Sequence, residues 1–368
     1  MAGLAAPTGV TEALTFVQLT PVRALALAGL GFVGGLLSGF FGTGGAFIMT
    51  PGMMGLGVPG IAAVGANITH KFGKALVGAA KHSEMGNVDI KLVLFMFVAL
   101  TSGVQIAVTL NTRVFEMLGT AGSNLYISAV YVVLLSIVAW GMYRDLKNEG
   151  APRTTAGPSL MERIQKLNLP PMISFHVANT RVSLWLVLLV GLATGYLAGT
   201  IGVGGFIGVP AMIYLLGVRT VIAAGTELGM AIFSGAYGAL MYAKGGFVDI
   251  RLVLLLYLGS LLGIQVGAIA TKAVREGQIK LVIVTVVALV AASRAIVIPG
   301  YLADLGYLGL SPALGNALQT GANVLLYGSA GAGTLLILTW IVQALAWPGG
   351  RLRRPFRHVP GRKEKLTG

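Results

Sequence analysis

The sequence predicts an all-α polytopic membrane protein. It is read as two inverted repeats of about five membrane segments each, with interrupted or re-entrant helices at Gly-rich loops, plus one extra C-terminal helix. Three observations predict this: composition, a set of long apolar stretches, and an internal duplication. The chain is 55% hydrophobic and only 10% charged, with a mean hydropathy of +0.84. Soluble domains carry about 25% charged residues. Apolar stretches such as Leu92–Leu110, Leu125–Tyr143, Ser183–Ile201, Leu252–Thr271, Leu281–Pro299 and Thr320–Trp347 approach or exceed the roughly 20 residues a helix needs to span a bilayer. A transmembrane barrel would instead show alternating segments of about ten residues. Residues 1–20 lack the basic start, apolar core and small-residue site of a cleavable signal peptide.

The duplication has an offset of 160 residues: GNVDIKLVL (Gly86–Leu94) returns as GFVDIRLVL (Gly246–Leu254), identical at seven of nine positions. Leu56-Gly57-Val58 returns as Leu216-Gly217-Val218, and GTGGAFIMTP (Gly42–Pro51) as GVGGFIGVP (Gly202–Pro210), one residue shorter. Chance matches between apolar segments would pair Leu with Val but would not keep Gly and Asp in step. Repeat 1 occupies 1–143. In it a helix near 21–41 runs into the loop Gly42-Thr43-Gly44-Gly45, followed by a short apolar piece (46–57) and helices near 60–81, 89–112 and 124–143. A polar linker, 144–182, carries a capping-box pattern at Ser159–Glu162. Repeat 2, at 183–299, copies the plan with a helix at 183–201, the loop Gly202-Val203-Gly204-Gly205, a short piece at 206–217, and helices near 220–243, 249–272 and 279–298. A loop at 300–319, an additional helix at 320–347 and a basic tail at 348–368 complete the chain.

Charge placement sets the expected orientation. The net charge is +14, with seven Lys/Arg in the tail and six in residues 143–182. Basic clusters beside spans mark the cytoplasmic side, which argues against a nucleic-acid partner. With the tail inside, the chain is expected in the cytoplasmic (inner) membrane with its C-terminus cytoplasmic and its N-terminus outside. The two repeats then start on opposite sides and are inverted, an arrangement typical of secondary transporters. Cysteine is absent, so thiolate metal sites and disulfides are excluded. No cofactor is expected.

Backbone N–H and C=O groups cannot stand bare in hydrocarbon. A non-helical GTGG at membrane depth must therefore be packed in protein or face a cavity, and the helix starts that follow it offer free N–H groups to an anion. The loop lacks the Lys-Ser/Thr ending of a Walker motif. The paired G-x-G-G-(x)-F-I-x-x-P pattern, with Leu-Gly-Val and Gly-x-Val-Asp in each half, resembles the TauE/SafE family over about residues 25–145 and 185–300. That resemblance implies a secondary transporter of small anions, often sulfur-containing, such as sulfite, sulfonates or sulfoacetate.

Asn67, His70, Lys71 and Lys74 lie at i, i+3, i+4 and i+7 and so share one helix face. Charged groups at bilayer depth normally face a bundle interior or an aqueous cavity, and this face would make a cationic lining. Lys81 is read instead as reaching the interface. In the second repeat, Glu227 stands where Asn67 does, and Ala231 and Ser234 replace Lys71 and Lys74. Glu227 is a candidate coupling carboxylate for a proton, or a partner for Lys71 in a resting state, or simply a buried acid held by N–H groups. Asp89 and Asp249 read as helix caps, and Gln105 and Gln265 as hydrogen-bonding groups between repeats. No metal-ligand spacing and no nucleophile–base arrangement occurs, so an enzyme is not expected.

The expected function is secondary transport of a small organic or sulfur-containing anion by alternating access. Substrate-binding residues would be Gly42, Thr43, Gly44, Gly45, Asn67, His70, Lys71, Lys74, Gly202, Val203, Gly204 and Gly205, with Glu227 coupling. A passive anion channel and a non-transporting membrane accessory protein remain open at this point. The expected partners are the small anion and the lipid bilayer; sequence leaves oligomeric state open.

Overall fold

A computed structural model of the chain describes residues 17–41, 45–147, 169–274 and 276–346. Helix α1 (Pro21–Phe41) opens on a proline, whose missing N–H costs nothing at that position. Thr20 Oγ1 accepts from Arg23 N at 3.2 Å. A 3-10 turn (Gly45–Ile48) and the short α2 (Met49–Gly55) lead to α3 (Gly60–Glu84) and α4 (Ile90–Lys147). Helix α4 is two arms, because Gly119 (φ 64°, ψ −159°) interrupts it. The second half contains α5 (Leu184–Ile201), α6 (Gly205–Tyr214), α7 (Thr220–Lys244), α8 (Ile250–Ala273) and α9 (Glu276–Asp304), and α10 (Pro312–Ala346) follows.

The repeated sequence signatures are helix-ending devices. After α3, Gly86 N bonds Ser83 O and Asn87 N bonds His82 O; after α7, Gly246 N bonds Ala243 O and Phe247 N bonds Tyr242 O. This pairing is the Schellman motif, which needs a left-handed residue, and Gly86 and Gly246 have φ 69° and 77°. The aspartate three residues on starts the next helix: Asp89 Oδ1 accepts from Leu92 N at 3.0 Å, and Asp249 Oδ1 from Arg251 N at 2.9 Å. Both act as caps.

The two halves are packed by exchange. Helix α1 lies against α8, and α5 lies against the first arm of α4, while α3 and α7 pack on each other. Under the 160-residue offset the first two pairings are copies of one another. Gly31 and Gly35 of α1 face the backbone at Leu256 and Ser260; Gly191 and Gly195 of α5 face the backbone at Met96 and Leu100. At Gly35 and Gly195 a Cβ would strike a neighbouring carbonyl oxygen, so the helices meet backbone to backbone, as small residues permit in membranes. The second arm of α4 packs on α9, which α10 covers.

Among the described residues, six helices are long and apolar enough to cross a membrane, α4 being counted once although it has two arms. One added element and three boundaries differ from expectation. The described residues are not purely helical: Met172–Phe175 and Thr180–Ser183 form an antiparallel hairpin, Ile173 opposite Val182. It is held to the helices by Asp89 Oδ2, which accepts from Ala178 N at 2.9 Å, and by Lys91 Nζ, which donates to Ser174 O at 2.8 Å. Helix α4 runs on to Lys147, into the segment read as linker. Helix α9 continues through Pro299 to Asp304, and α10 begins at Pro312 rather than near 320, so the loop expected at 300–319 shrinks to a few residues. The capping-box pattern at Ser159–Glu162 lies outside the described residues.

The exchanged packing yields a stability prediction. Gly35→Val and Gly195→Val should each lower the melting temperature in detergent, by an overpacking cost of about 1–3 kcal/mol or more. Gly141→Val, which would meet nothing within 4 Å, should leave it unchanged.

Candidate functional site

Helix α5 stops inside the protein because Gly202 turns into the left-handed region, φ 76°. Its last carbonyls are then without helical partners, and side chains from elsewhere take them up. Tyr242 OH donates to Gly199 O at 2.7 Å, and Asn111 Nδ2 to Thr200 O at 3.1 Å. Ile201 O accepts from Thr50 Oγ1 and from Tyr131 OH, each at 3.0 Å. Thr50 also accepts from Asn67 Nδ2 at 2.9 Å, and the same amide nitrogen donates to Ala46 O at 3.1 Å. Asn67 thereby ties the turn after the first glycine loop to the break in the second half.

One turn further along α3, the cationic face meets α7. Lys71 Nζ lies 3.1 Å from Glu227 Oε1, with the two side chains 12% and 8% exposed. A Cβ on Gly204 would collide with Lys71 Nζ, and one on Gly205 would come 2.7 Å from Glu227 Oε2. The ion pair thus presses directly on the second glycine loop and the start of α6. His70 is fully buried; its Nε2 sits 2.7 Å from Ser260 Oγ of α8, its ring lies 4.7 Å from that of Tyr257, and Nδ1 has no partner. Lys74 Nζ donates to Ser38 Oγ of α1 at 3.3 Å.

These groups border a cavity of about 90 Å³ whose walls include Ser38, His70, Lys71, Lys74, Gly204 and Glu227. Val203 and Gly205 line it too. Asn67 and Gly202 stand behind the wall, where a Cβ on Gly202 would meet the Asn67 side chain. Gly45 begins the 3-10 turn and is buried against Gly34 and Leu37. Gly42, Thr43 and Gly44 lie outside the described residues. Gln105 Oε1 accepts from Tyr237 OH at 2.7 Å, a bond between the halves. Among the described residues no group of three or more His, Asp or Glu could hold a metal ion.

Sequence reading missed Ser38, Ser260, Thr50, Asn111, Tyr131 and Tyr242. A usable signal existed for several: Ser38, Tyr131 and Ser260 are polar where the position 160 residues away is Ala198, Ala291 or Leu100. Where a duplicated scaffold loses its symmetry in polarity, a local task is indicated.

The fold and the site together define a polytopic helical membrane protein with a charged chamber between two equivalent helices. The chain belongs to the sulfite exporter TauE/SafE family, whose model matches residues 27–294. It is 25% identical over 241 residues to the "Probable membrane transporter protein YjnA" of Bacillus subtilis (strain 168), covering 65% of this chain and 87% of that protein. It is 27% identical over 245 residues to the "Probable membrane transporter protein YdhB" of the same organism, covering 64% and 86%. The family is one of membrane transporters, not of enzymes. No solved structure matches the chain at a comparable level.

Tyr242 OH makes the shorter of two hydrogen bonds to Gly199 O, the other coming from Asn111 Nδ2 at 3.5 Å, and losing such a bond costs about 0.5–1.5 kcal/mol. Tyr242→Phe, which keeps the ring, should therefore lower the unfolding midpoint by a corresponding amount. Tyr143→Phe, at an exposed position, is the control that should not.

Proposed function

We propose that the chain is a secondary transporter of a small sulfur-containing or organic oxyanion across the cytoplasmic membrane, working by alternating access between two inverted repeats. The observation that carries this reading is the Lys71–Glu227 pair set against Gly204 and Gly205, inside a cavity bordered by His70 and Lys74. Three basic side chains and one carboxylate face a space of about 90 Å³. One water needs about 10–15 Å³ by such a measure, so a compact anion is the size that fits.

In this reading the start of α6 offers backbone N–H groups and the positive end of the helix dipole to an anionic oxygen. The Gly42–Gly45 loop is assigned the same role from the first half. Lys71 supplies the main attraction, Lys74 supplies further positive charge, His70 supplies a buried imidazole nitrogen for hydrogen bonding, and Asn67 holds the loops in register. Glu227 holds Lys71 when the chamber is empty. Anion entry must displace that carboxylate, and its protonation would remove the competing charge, which couples the anion to a proton. The family's name gives sulfite as the first substrate to test. The short segments α2 and α6 then return to the side from which they enter, with the C-terminus in the cytoplasm.

In proteoliposomes, Lys71→Ala should abolish sulfite flux while the purified variant remains folded and monodisperse. Wild-type flux in that variant would overturn the assignment. Glu227→Gln should retain sulfite exchange but lose stimulation by a pH gradient. Saturable counterflow, with accumulation against a gradient, separates this carrier from a passive anion channel, which would show neither.

A further inference from the structure

Helix α8 meets α1 through Gly259, Gly263 and Gly267, where a Cβ would strike the carbonyl oxygens of Ala28, Phe32 and Leu36. The opposite side of the helix is uncovered. Leu254, Leu258, Leu261, Gln265 and Ala268 are all exposed, and steps of 4, 3, 4 and 3 residues keep them in one line along that side. Exposed leucines on a membrane helix ordinarily meet lipid tails, so the leucines alone decide nothing. The amide in their midst does. Gln265 stands eight residues before the end of α8 at Ala273, a rise of roughly 12 Å, too far for its side chain to reach the interface. An amide placed in hydrocarbon without a partner is costly.

The duplication supplies the comparison. Gln105, in the first arm of α4, occupies the equivalent position. Its Oε1 accepts from Tyr237 OH at 2.7 Å, and its Nε2 donates to Thr109 Oγ1 at 3.1 Å. The positions that match Tyr237 and Thr109 in the other half are Val77 and Ile269, whose side chains can make no hydrogen bond. Among the described residues no hydrogen bond reaches the Gln265 side chain, so the bond between halves expected of it is not formed. One scaffold position therefore carries an amide satisfied within the chain in the first half and an amide turned outward in the second.

We propose that this face of α8 is the contact between two copies of the chain, keyed by Gln265. Two copies inserted in the same sense meet about a two-fold axis along the membrane normal, and such an interface is self-complementary. It sets α8 parallel to its own copy and Gln265 opposite its counterpart. A glutamine carries both a donor and an acceptor, so each amide donates to the oxygen of the other. Steps of four and three residues are those of a parallel coiled-coil seam, in which a single polar position fixes register and oligomeric state. Polar side chains hold membrane helices together in the same way, and lipid tails offer the amide nothing. The first half presents no equivalent face: its amide is taken by Tyr237 and Thr109, and Val108, which stands where Ala268 does, is buried. The inference goes beyond the transport reading and does not rest on it.

The chain has no cysteine, so a single introduced cysteine reports on one position. In membranes treated with a mild oxidant, Leu258→Cys should yield a disulfide-linked dimer. Val98→Cys, the matching exposed position of the first half, should stay monomeric. Single-molecule photobleaching of the labelled full-length chain in liposomes, over a range of protein-to-lipid ratios, then measures the dimer itself. Gln265→Leu should weaken it about tenfold, and Gln105→Leu should leave it unchanged. A wild-type chain that is monomeric at every ratio overturns the proposal and assigns the face to lipid. A dimer unmoved by Gln265→Leu, or weakened equally by Gln105→Leu, overturns the role of the amide. Equal cross-linking at Leu258→Cys and Val98→Cys overturns the choice of face. Should Gln265→Leu fail to fold, the cysteine comparison keeps the amide intact and decides.

Discussion

Three backbone carbonyls, those of Gly199, Thr200 and Ile201, govern much of the interior. A helix that ends within a membrane leaves acceptors that water cannot reach, and hydrocarbon offers nothing in return. The chain answers with Tyr242 from α7, Asn111 and Tyr131 from the two arms of α4, and Thr50 from α2. Four segments distant in sequence are thus drawn to one point. Thr50 also accepts from Asn67, so the order at the break extends to α3. Lys71 and Lys74 follow on that same face. The chamber's charge is where it is because the broken helix is held where it is.

The second organising feature is the exchange of partners between the halves. Helix α1 takes its neighbour from the second half and α5 takes its neighbour from the first, through the same glycine positions. Equivalent helices meet each other where the second arm of α4 packs on α9 and again at the α3–α7 contact. That contact carries the ion pair Lys71–Glu227. A duplicated scaffold meeting itself would place like residues opposite like. Here the duplication has diverged at this contact, with Lys71 against Ala231 and Asn67 against Glu227 at equivalent positions. Divergence turned a symmetric seam into a polar one, and it gave the carboxylate to one helix and the ammonium to the other.

The legible parts of the sequence were those with a local cause. The duplication, the helix-ending glycines and the Asp caps are short-range signals, and Gly86–Asp89 and Gly246–Asp249 behave as that grammar requires. The cationic face of α3 could be read because periodicity alone puts Asn67, His70, Lys71 and Lys74 together. The partners of those residues could not be read the same way. Ser260 lies 190 residues from His70, and Ile201 lies 151 from Thr50; only the exchanged packing brings them together, and no periodicity encodes it. The hairpin at 172–183 escaped because its strands are four residues each and sit in a segment dominated by polar residues. The continuation of α9 past Pro299 escaped because a proline late in an apolar run reads as a stop.

The exchanged packing also bears on how the protein is made. Helix α1 leaves the ribosome well before α8, because the surface complementary to its glycine face, around Leu256 and Ser260, is more than two hundred residues further along the chain. At roughly 5–20 residues per second, that face waits on the order of ten seconds or longer for its mate. During the interval its backbone-exposing stripe must lie against lipid, the translocation machinery or an improvised neighbour. The glycines that let the finished halves interlock are therefore also what leaves the nascent first half without a completed interior. The protein cannot be assembled one repeat at a time: biogenesis must keep α1 available until α8 arrives, and a chain truncated before α8 should look to quality control like an orphaned subunit.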